Sequence, residues 1–195
     1  MSQPRVCDYP IDPLFTSRWS PRSLTGEAMH ENDLMQLLEA ARWAPSAYNV
    51  QPWRFIYALR DTPQWAPIFS SLNPVNQSWA QNASALVVIA SDTHMVLPGK
   101  TERSPNRWHS FDCGSAWVSL AFQATLSGWS AHDLAGFNPE ALRPAISAPA
   151  DFTLETVVVI GKKGPPEALS AELQAREAPN ARRPLTQTCF HGKWS

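Results

Sequence analysis

Charged residues are scarce in this 195-residue chain: they make up 17%, and the formal net charge is -1. Such a balance gives no electrostatic reason to expect nucleic acid or an anionic membrane as partner. Cysteine is thin as well. Cys7, Cys113 and Cys189 are widely spaced and form no CxxC pair, so neither a disulfide framework nor a zinc site is indicated, and a reducing compartment is the natural setting. Long apolar runs are missing. The longest, ALVVIA at 85–90, falls far short of the ~20 residues a membrane-spanning helix needs. The opening MSQPRVCDYP holds no continuous apolar leader, and a cytoplasmic location is the expectation. Neither a GxGxxG nor a Walker sequence occurs, which argues against a Rossmann-type nicotinamide domain. No G-x-S-x-G elbow accompanies His132 and Asp133, so a hydrolase triad has no exposed nucleophile. His109 and Cys113 stand four apart without a second ligand pair such as HExxH, which leaves a packed helix start as the better reading than a metal or thiol centre.

What is present is apolar. Hydrophobic residues reach 44%, enough to fold one domain, spanning 1–195, or a subunit that completes its core against a partner. Eighteen prolines imply irregular connections, and nine tryptophans imply large flat surfaces that pack, stack or build an interface. Leu34, Leu37, Leu38 and Ala41 follow helical spacing behind Glu31 and Asp33, and Pro45 forces a stop at Ala44. Strands are expected over 52–59 and 85–91 from their aromatic and β-branched content. The run TVVVIG, 156–161, asks for a central strand covered on both faces. Residues 111–126 are apolar nearly all round, as in a helix buried on several sides, with Gly128 as its stop. A short apolar segment at 131–138 and a small helix from Pro139 to Arg143 follow. The polar, proline-punctuated stretch 162–195 carries too little apolar pattern to hold itself, so it frays or wraps around something. Without a regular βαβ rhythm the class is α+β.

Two stretches carry the chemistry. In SRWSPRS, 17–23, Arg18, Ser20 and Arg22 alternate, so an extended backbone puts two guanidiniums and a hydroxyl on one side. That set suits a phosphate, whereas the competing reading is a solvated, charged arm. In AARWAPSAYNVQPWRF, 40–55, the join between helix and strand holds Ser46, Asn49 and Gln51 behind Pro45. Amide side chains both donate and accept, so they can match an edge that alternates carbonyl oxygens with an N–H, as a flavin's pyrimidine side does. They can equally satisfy backbone in an irregular turn.

Taken together, the arginine-serine-arginine arm, the AAxxAPSxxNxQPW block, the long apolar helix, the AGF turn at 135–137 and the ARRPL motif at 181–185 resemble the nitroreductase family of FMN-dependent NAD(P)H oxidoreductases. The similarity runs in the family's order over nearly the whole chain. It implies an α+β fold with a central mixed sheet flanked by helices, in an intertwined homodimer with FMN at the interface and the 162–195 tail wrapping the partner subunit. By position, Arg18, Trp19, Ser20 and Arg22 resemble the arm that contacts phosphate, ribityl chain and pyrimidine. Pro45, Ser46, Asn49 and Gln51 resemble the segment that reaches the flavin from the partner subunit. Leu134, Ala135 and Gly136 match the turn whose backbone lies beside the ring, Arg182 and Arg183 match the phosphate-binding basic pair, and Asn76 matches a further polar contact. Some relatives carry a second serine where Ala47 stands, and a glutamate where Ala135 stands.

The implied reaction is a two-step, ping-pong hydride transfer through flavin N5. NADPH or NADH reduces FMN and leaves, and a nitroaromatic, quinone or similar electron-poor acceptor then enters the same cleft. No side chain is required as general acid or base. Alternatives on the same scaffold are reduction of enones or halogenated aromatics. From other classes come a flavin-binding sensor or store without turnover, and a protein-interaction module built on the tryptophans. Trp108 and Phe111 stand between an acceptor's stacking surface and ordinary core packing.

Overall fold

The computed structural model describes residues 5–194. From the N-terminus it contains α1 (Pro13–Ser17), α2 (Glu31–Arg42), β1 (Trp53–Leu59), α3 (Trp65–Phe69), α4 (Pro74–Ala80), β2 (Ala85–Asp92), β3 (His94–Val96) and β4 (Arg103–Pro105). The long helix α5 (His109–Leu126), β5 (Ser130–Leu134), α6 (Pro139–Ala145), β6 (Phe152–Gly161) and α7 (Ala171–Gln174) complete it.

The sheet is organised by alternation. Four strands pair in the order β1-β2-β6-β5, so the two most apolar strands are central. Successive side chains of a strand point to opposite faces, and both faces are covered. Ala85, Val87 and Ile89 of β2 and Val158 and Ile160 of β6 pack with Leu34, Leu37 and Ala41 of α2 and Ala116, Leu120 and Ala124 of α5. Leu86 and Val88 with Val157 and Val159 face the other way, onto Ile68, Trp79 and Leu142 from α3, α4 and α6 and Leu173 from α7. This two-faced burial is why TVVVIG reads as an unbroken apolar run.

One expectation needs correcting. The α+β class holds, but the sheet is not mixed: among the described residues every strand pairing is antiparallel. The link from β1 to β2 through α3 and α4 leaves and re-enters the sheet at the same end, so the chain returns in the opposite sense. The stretch after Gly161 also makes anchoring contacts with its own chain as far as Leu185. Gly164 N donates to the Ser23 carbonyl at 2.8 Å, Leu173 is buried, and Leu185 N donates to the Asp8 carboxylate at 2.7 Å. Periodicity missed this because the anchors are single residues, not a repeating stripe.

Helix α5 is buried on one side only. Asp112, Cys113, Ala116, Leu120, Ala121 and Ala124 face the core, while Phe111, Val118 and Leu126 stand exposed along the opposite side, with Phe111 73% accessible. An apolar stripe of that length on a folded chain is what an interaction surface looks like. Three free thiols sort by burial. Cys7 and Cys189 are exposed; Cys113 is buried, and burial, followed by Glu155 and Asp112, pushes its thiol up to about 12. Alkylation at pH 8 is expected to modify Cys7 and Cys189 and spare Cys113, which intact-mass measurement reads directly.

Candidate functional site

The arm that follows α1 is held extended by a carboxylate from the far end of the chain. Glu177 is buried, and its oxygens accept from Arg22 N at 2.9 and 3.1 Å and from Ser23 N at 2.9 Å. With the backbone so fixed, Arg18, Trp19, Ser20 and Arg22 all line one cleft of about 350 Å³, and Arg18 Nη1 donates to Ser20 Oγ at 3.3 Å. Spacing had brought three of these together. The cleft is completed by groups that spacing did not identify: Arg5, His132, Arg176 and Asn180, together with Arg182.

Five guanidiniums around one cavity crowd each other. Burial, then Arg182, lowers the pKa of Arg18; burial, then Arg176, lowers that of Arg22, with Glu177 opposing; burial, then Arg182 and Arg18, lowers that of Arg5. Like charges gathered in a partly desolvated cleft are stabilised by an anion placed among them. The donor set, forked guanidiniums plus one hydroxyl, therefore fits a phosphate.

His132 links the cleft to the sheet. It sits on β5, stacks on Trp79 with ring centroids 5.0 Å apart, and Nδ1 lies 3.1 Å from the Pro21 carbonyl, so Nδ1–H donates into the arm. Burial lowers its pKa from 6.5, with Arg22 adding to the effect, while the Pro21 bond, Asp133 and Glu177 oppose it. With the histidine pKa lowered in the fold, the unfolded chain binds more protons from about 6.5 down to the lowered value, so stability is lost as pH falls from 6.5 through this window. His132→Gln is expected to flatten the decline in unfolding free energy between pH 7 and 5, measured by denaturant titration in phosphate-free buffer.

The remaining predicted residues lie elsewhere. Leu134 is buried, with its N–H bound to Thr156 Oγ1 at 3.1 Å. Beyond it the N–H groups of Ala135 and Gly136 have no hydrogen-bond partner among the described residues. Asn76 Nδ2 donates to the Gly136 carbonyl at 3.1 Å, so this amide orients the turn. A Cβ on Gly136 would meet the Asn73 and Asn76 amides at 2.3 and 2.6 Å, which explains the glycine. Arg183 turns away from the cleft into a second cavity.

Pro45, Ser46, Asn49 and Gln51 are not in the cleft of their own chain. Ser46 Oγ accepts from Gln51 N at 3.0 Å, and Gln51 Nε2 donates to the Asn49 carbonyl at 3.0 Å. Within the chain, turn satisfaction thus accounts for Ser46 and Gln51. The turn is nevertheless unusual: Tyr48, Asn49 and Gln51 all have φ between 51° and 56°, the left-handed region that non-glycine residues seldom adopt. It is pinned to α5, since Ala47 N donates to the Asp112 carboxylate at 3.1 Å. Such clustered strain is a mark of functional segments. The His109–Cys113 pairing does not form. His109 Nδ1 lies 2.7 Å from Ser91 Oγ and 3.3 Å from Glu155, and among the described residues no group of three His, Cys, Asp or Glu side chains could hold a metal.

Known proteins resemble the chain in sequence and in fold. The sequence model of the Nitroreductase family matches residues 15–162. A solved structure described as an oxidoreductase containing FMN is 41% identical, with a TM-score of 0.94, over 100% of this chain and 99% of that one. A nitroreductase family protein from Streptococcus pneumoniae shares the fold at 17% identity and a TM-score of 0.73, over 91% and 97% of the two chains. A protein of Archaeoglobus fulgidus, provisionally named an NADH dehydrogenase/NAD(P)H nitroreductase, is 28% identical over 74% of this chain and 80% of its own.

Proposed function

The chain belongs to the nitroreductase family, and from that premise we propose that it is an FMN-dependent NAD(P)H oxidoreductase that reduces nitroaromatics, quinones or similar electron-poor acceptors. It is a flavin-dependent oxidoreductase by family and by its similarity to the FMN-containing oxidoreductase. The observation that carries the reading furthest is the convergence of Arg18, Ser20 and Arg22 with Arg182 on one cleft, from segments more than 150 residues apart.

In this reading Arg18 and Arg182 hold the phosphate, and Ser20 and Trp19 border the ribityl chain. Arg22, fixed by Glu177, stands toward the pyrimidine. FMN, when bound, supplies the chemistry, accepting hydride from the nicotinamide and passing it to the acceptor. The chain's own groups bind, orient and polarise. Arg22 offers positive charge to the ring edge, and the unpartnered N–H groups of Ala135 and Gly136 offer fixed donors whose orientation is set before reaction.

The active form in this proposal is a homodimer formed through the outer face of α5. Phe111, Val118 and Leu126 then become buried, and Pro45, Ser46, Asn49 and Gln51 face the partner's flavin. Phe111→Asp is expected to shift the protein from dimer to monomer in sedimentation and to lower flavin content with it. A wild-type protein that sediments as a monomer would remove this part of the proposal. The reaction class is tested by steady-state kinetics with both substrates varied. Parallel double-reciprocal lines with NADPH or NADH against a quinone are expected, and intersecting lines would contradict the shared-cleft sequence.

A further inference from the structure

The arginines that line the cleft keep their charge at any working pH. His132 lines it too, and among the described lining residues it is the single side chain whose charge changes near neutrality. The flavin reading has so far given it no task. Its surroundings set its tautomer. The Pro21 carbonyl, 3.1 Å from Nδ1, can only accept, so Nδ1 carries the proton and Nε2 of the neutral ring is a bare acceptor. Nε2 has no hydrogen-bond partner among the described residues and is not sealed from solvent, so the space it meets is the cleft. Stacking on Trp79, itself 2% exposed, holds the ring there.

Every element around the imidazole contributes to its field. The arm supplies Arg18 and Arg22, the segment after α7 supplies Arg176 and Glu177, the two ends of the chain supply Arg5 and Arg182, β5 supplies Asp133, and α4 supplies only the indole of Trp79. Glu177 is committed to the N–H groups of Arg22 and Ser23, and Asp133 is exposed. Positive charge therefore dominates. Under the flavin reading, on which this inference rests, Arg22 stands toward the pyrimidine, and His132 binds the carbonyl of the residue just before it. A hydride from the nicotinamide carries two electrons and one proton, so the ring gains one net negative charge and draws no proton from solvent. Negative charge added at this end of the cleft favours the protonated imidazole.

We infer that His132 takes up one proton from solvent at Nε2 when the flavin is reduced, and returns it when an acceptor reoxidises the flavin. The step balances. The nicotinamide loses a hydride and the flavin gains it; a quinone then takes the hydride and one proton to become the quinol, and His132 releases one proton in the same half-reaction. Nε2 thus turns from acceptor to donor in the reduced state alone. Burial, with Arg22 in support, opposes the charged imidazole otherwise, so the proton follows the electrons and does not precede them.

Nuclear magnetic resonance of the full-length, flavin-loaded protein tests this, with the rings of its five histidines labelled and the His132 signal identified by its absence in His132→Gln. Its titration midpoint is expected at least about one pH unit higher after anaerobic reduction by NADPH or NADH than before. At a pH between the two midpoints, an indicator dye in weak buffer is expected to read about one proton taken up per flavin reduced in the wild type. In His132→Gln, whose amide can still donate to the Pro21 carbonyl, uptake is expected to fall to about a tenth of that or less. Circular dichroism checks the variant's fold, and His132→Asn serves as the second variant. A midpoint that does not move on reduction would overturn the inference and leave the flavin reading intact. Equal uptake by wild type and variant would do the same, because the proton would then go to another group. A wild type that holds no flavin, or whose flavin neither nicotinamide bleaches, would overturn the flavin reading and this inference with it.

Discussion

Arg18→Ala is expected to weaken FMN binding by roughly ten- to hundredfold while leaving the flavin-free protein as stable as the wild type or more so. The first half follows from the bond that is lost: a hydrogen bond to a charged group contributes about 1.5–3 kcal/mol, and 1.4 kcal/mol is tenfold in affinity. The second half follows from the crowding. Arg18 is half-buried, and its charged form is disfavoured first by burial and then by Arg182, with only Asp133 in opposition. Without an anion its guanidinium is a burden on the fold; with one it becomes a ligand. Equilibrium dialysis and thermal melting in phosphate-free buffer separate the two effects. A variant that lost stability and flavin affinity in step would instead make Arg18 a structural residue.

Glu177→Ala is expected to be the most destabilising single change at the site, by about 3 kcal/mol or more. The Glu177 side chain is 1% exposed, and removing it leaves the Arg22 and Ser23 N–H groups without their acceptor and the Arg22 guanidinium, 4.0 Å away, without its counter-charge. Each buried donor left unsatisfied costs about 1–3 kcal/mol, and breaking a buried ion pair about 3–5 kcal/mol. These overlap, so the sum is not taken. Because the same carboxylate fixes the arm, flavin affinity should fall along with stability, in contrast to Arg18→Ala. Glu177→Gln keeps an acceptor for one N–H and should recover part of both. Urea unfolding with flavin affinity measured in parallel reads the contrast between the two positions.

That contrast also marks what sequence could and could not reveal. β2 and β6 were legible because each is an unbroken apolar run, and α2 because its apolar residues repeat at helical spacing, each long enough to outweigh local noise. The short helices α3 and α4 and the β3–β4 hairpin were not, since three to seven residues give too few turns or alternations to count. The sheet's antiparallel pairing depends on where connections re-enter it, which no local window contains. At the site, Arg18, Ser20 and Arg22 were legible because their chemistry and spacing coincide within five residues. Arg176 and Glu177 reach the same arm from more than 150 positions away, on a segment whose own pattern is weak. His132 was visible only as half of an unsupported triad. Its place in the cleft comes from β5 pairing beside β6 and from the Pro21 carbonyl that accepts its Nδ1–H. The Ser46–Gln51 join was read as polar for a reason, and part of that reason is local: its hydroxyl and one amide hold a left-handed turn.

The most direct measurement is the visible absorbance spectrum of the purified protein, followed in the same cuvette by NADPH or NADH without oxygen. Flavin bands that bleach on addition and return with a quinone or nitroaromatic are the expected result. A colourless protein that takes up no added flavin would contradict the assignment of the arginine cleft, and flavin bands that never bleach would leave a binding protein without turnover.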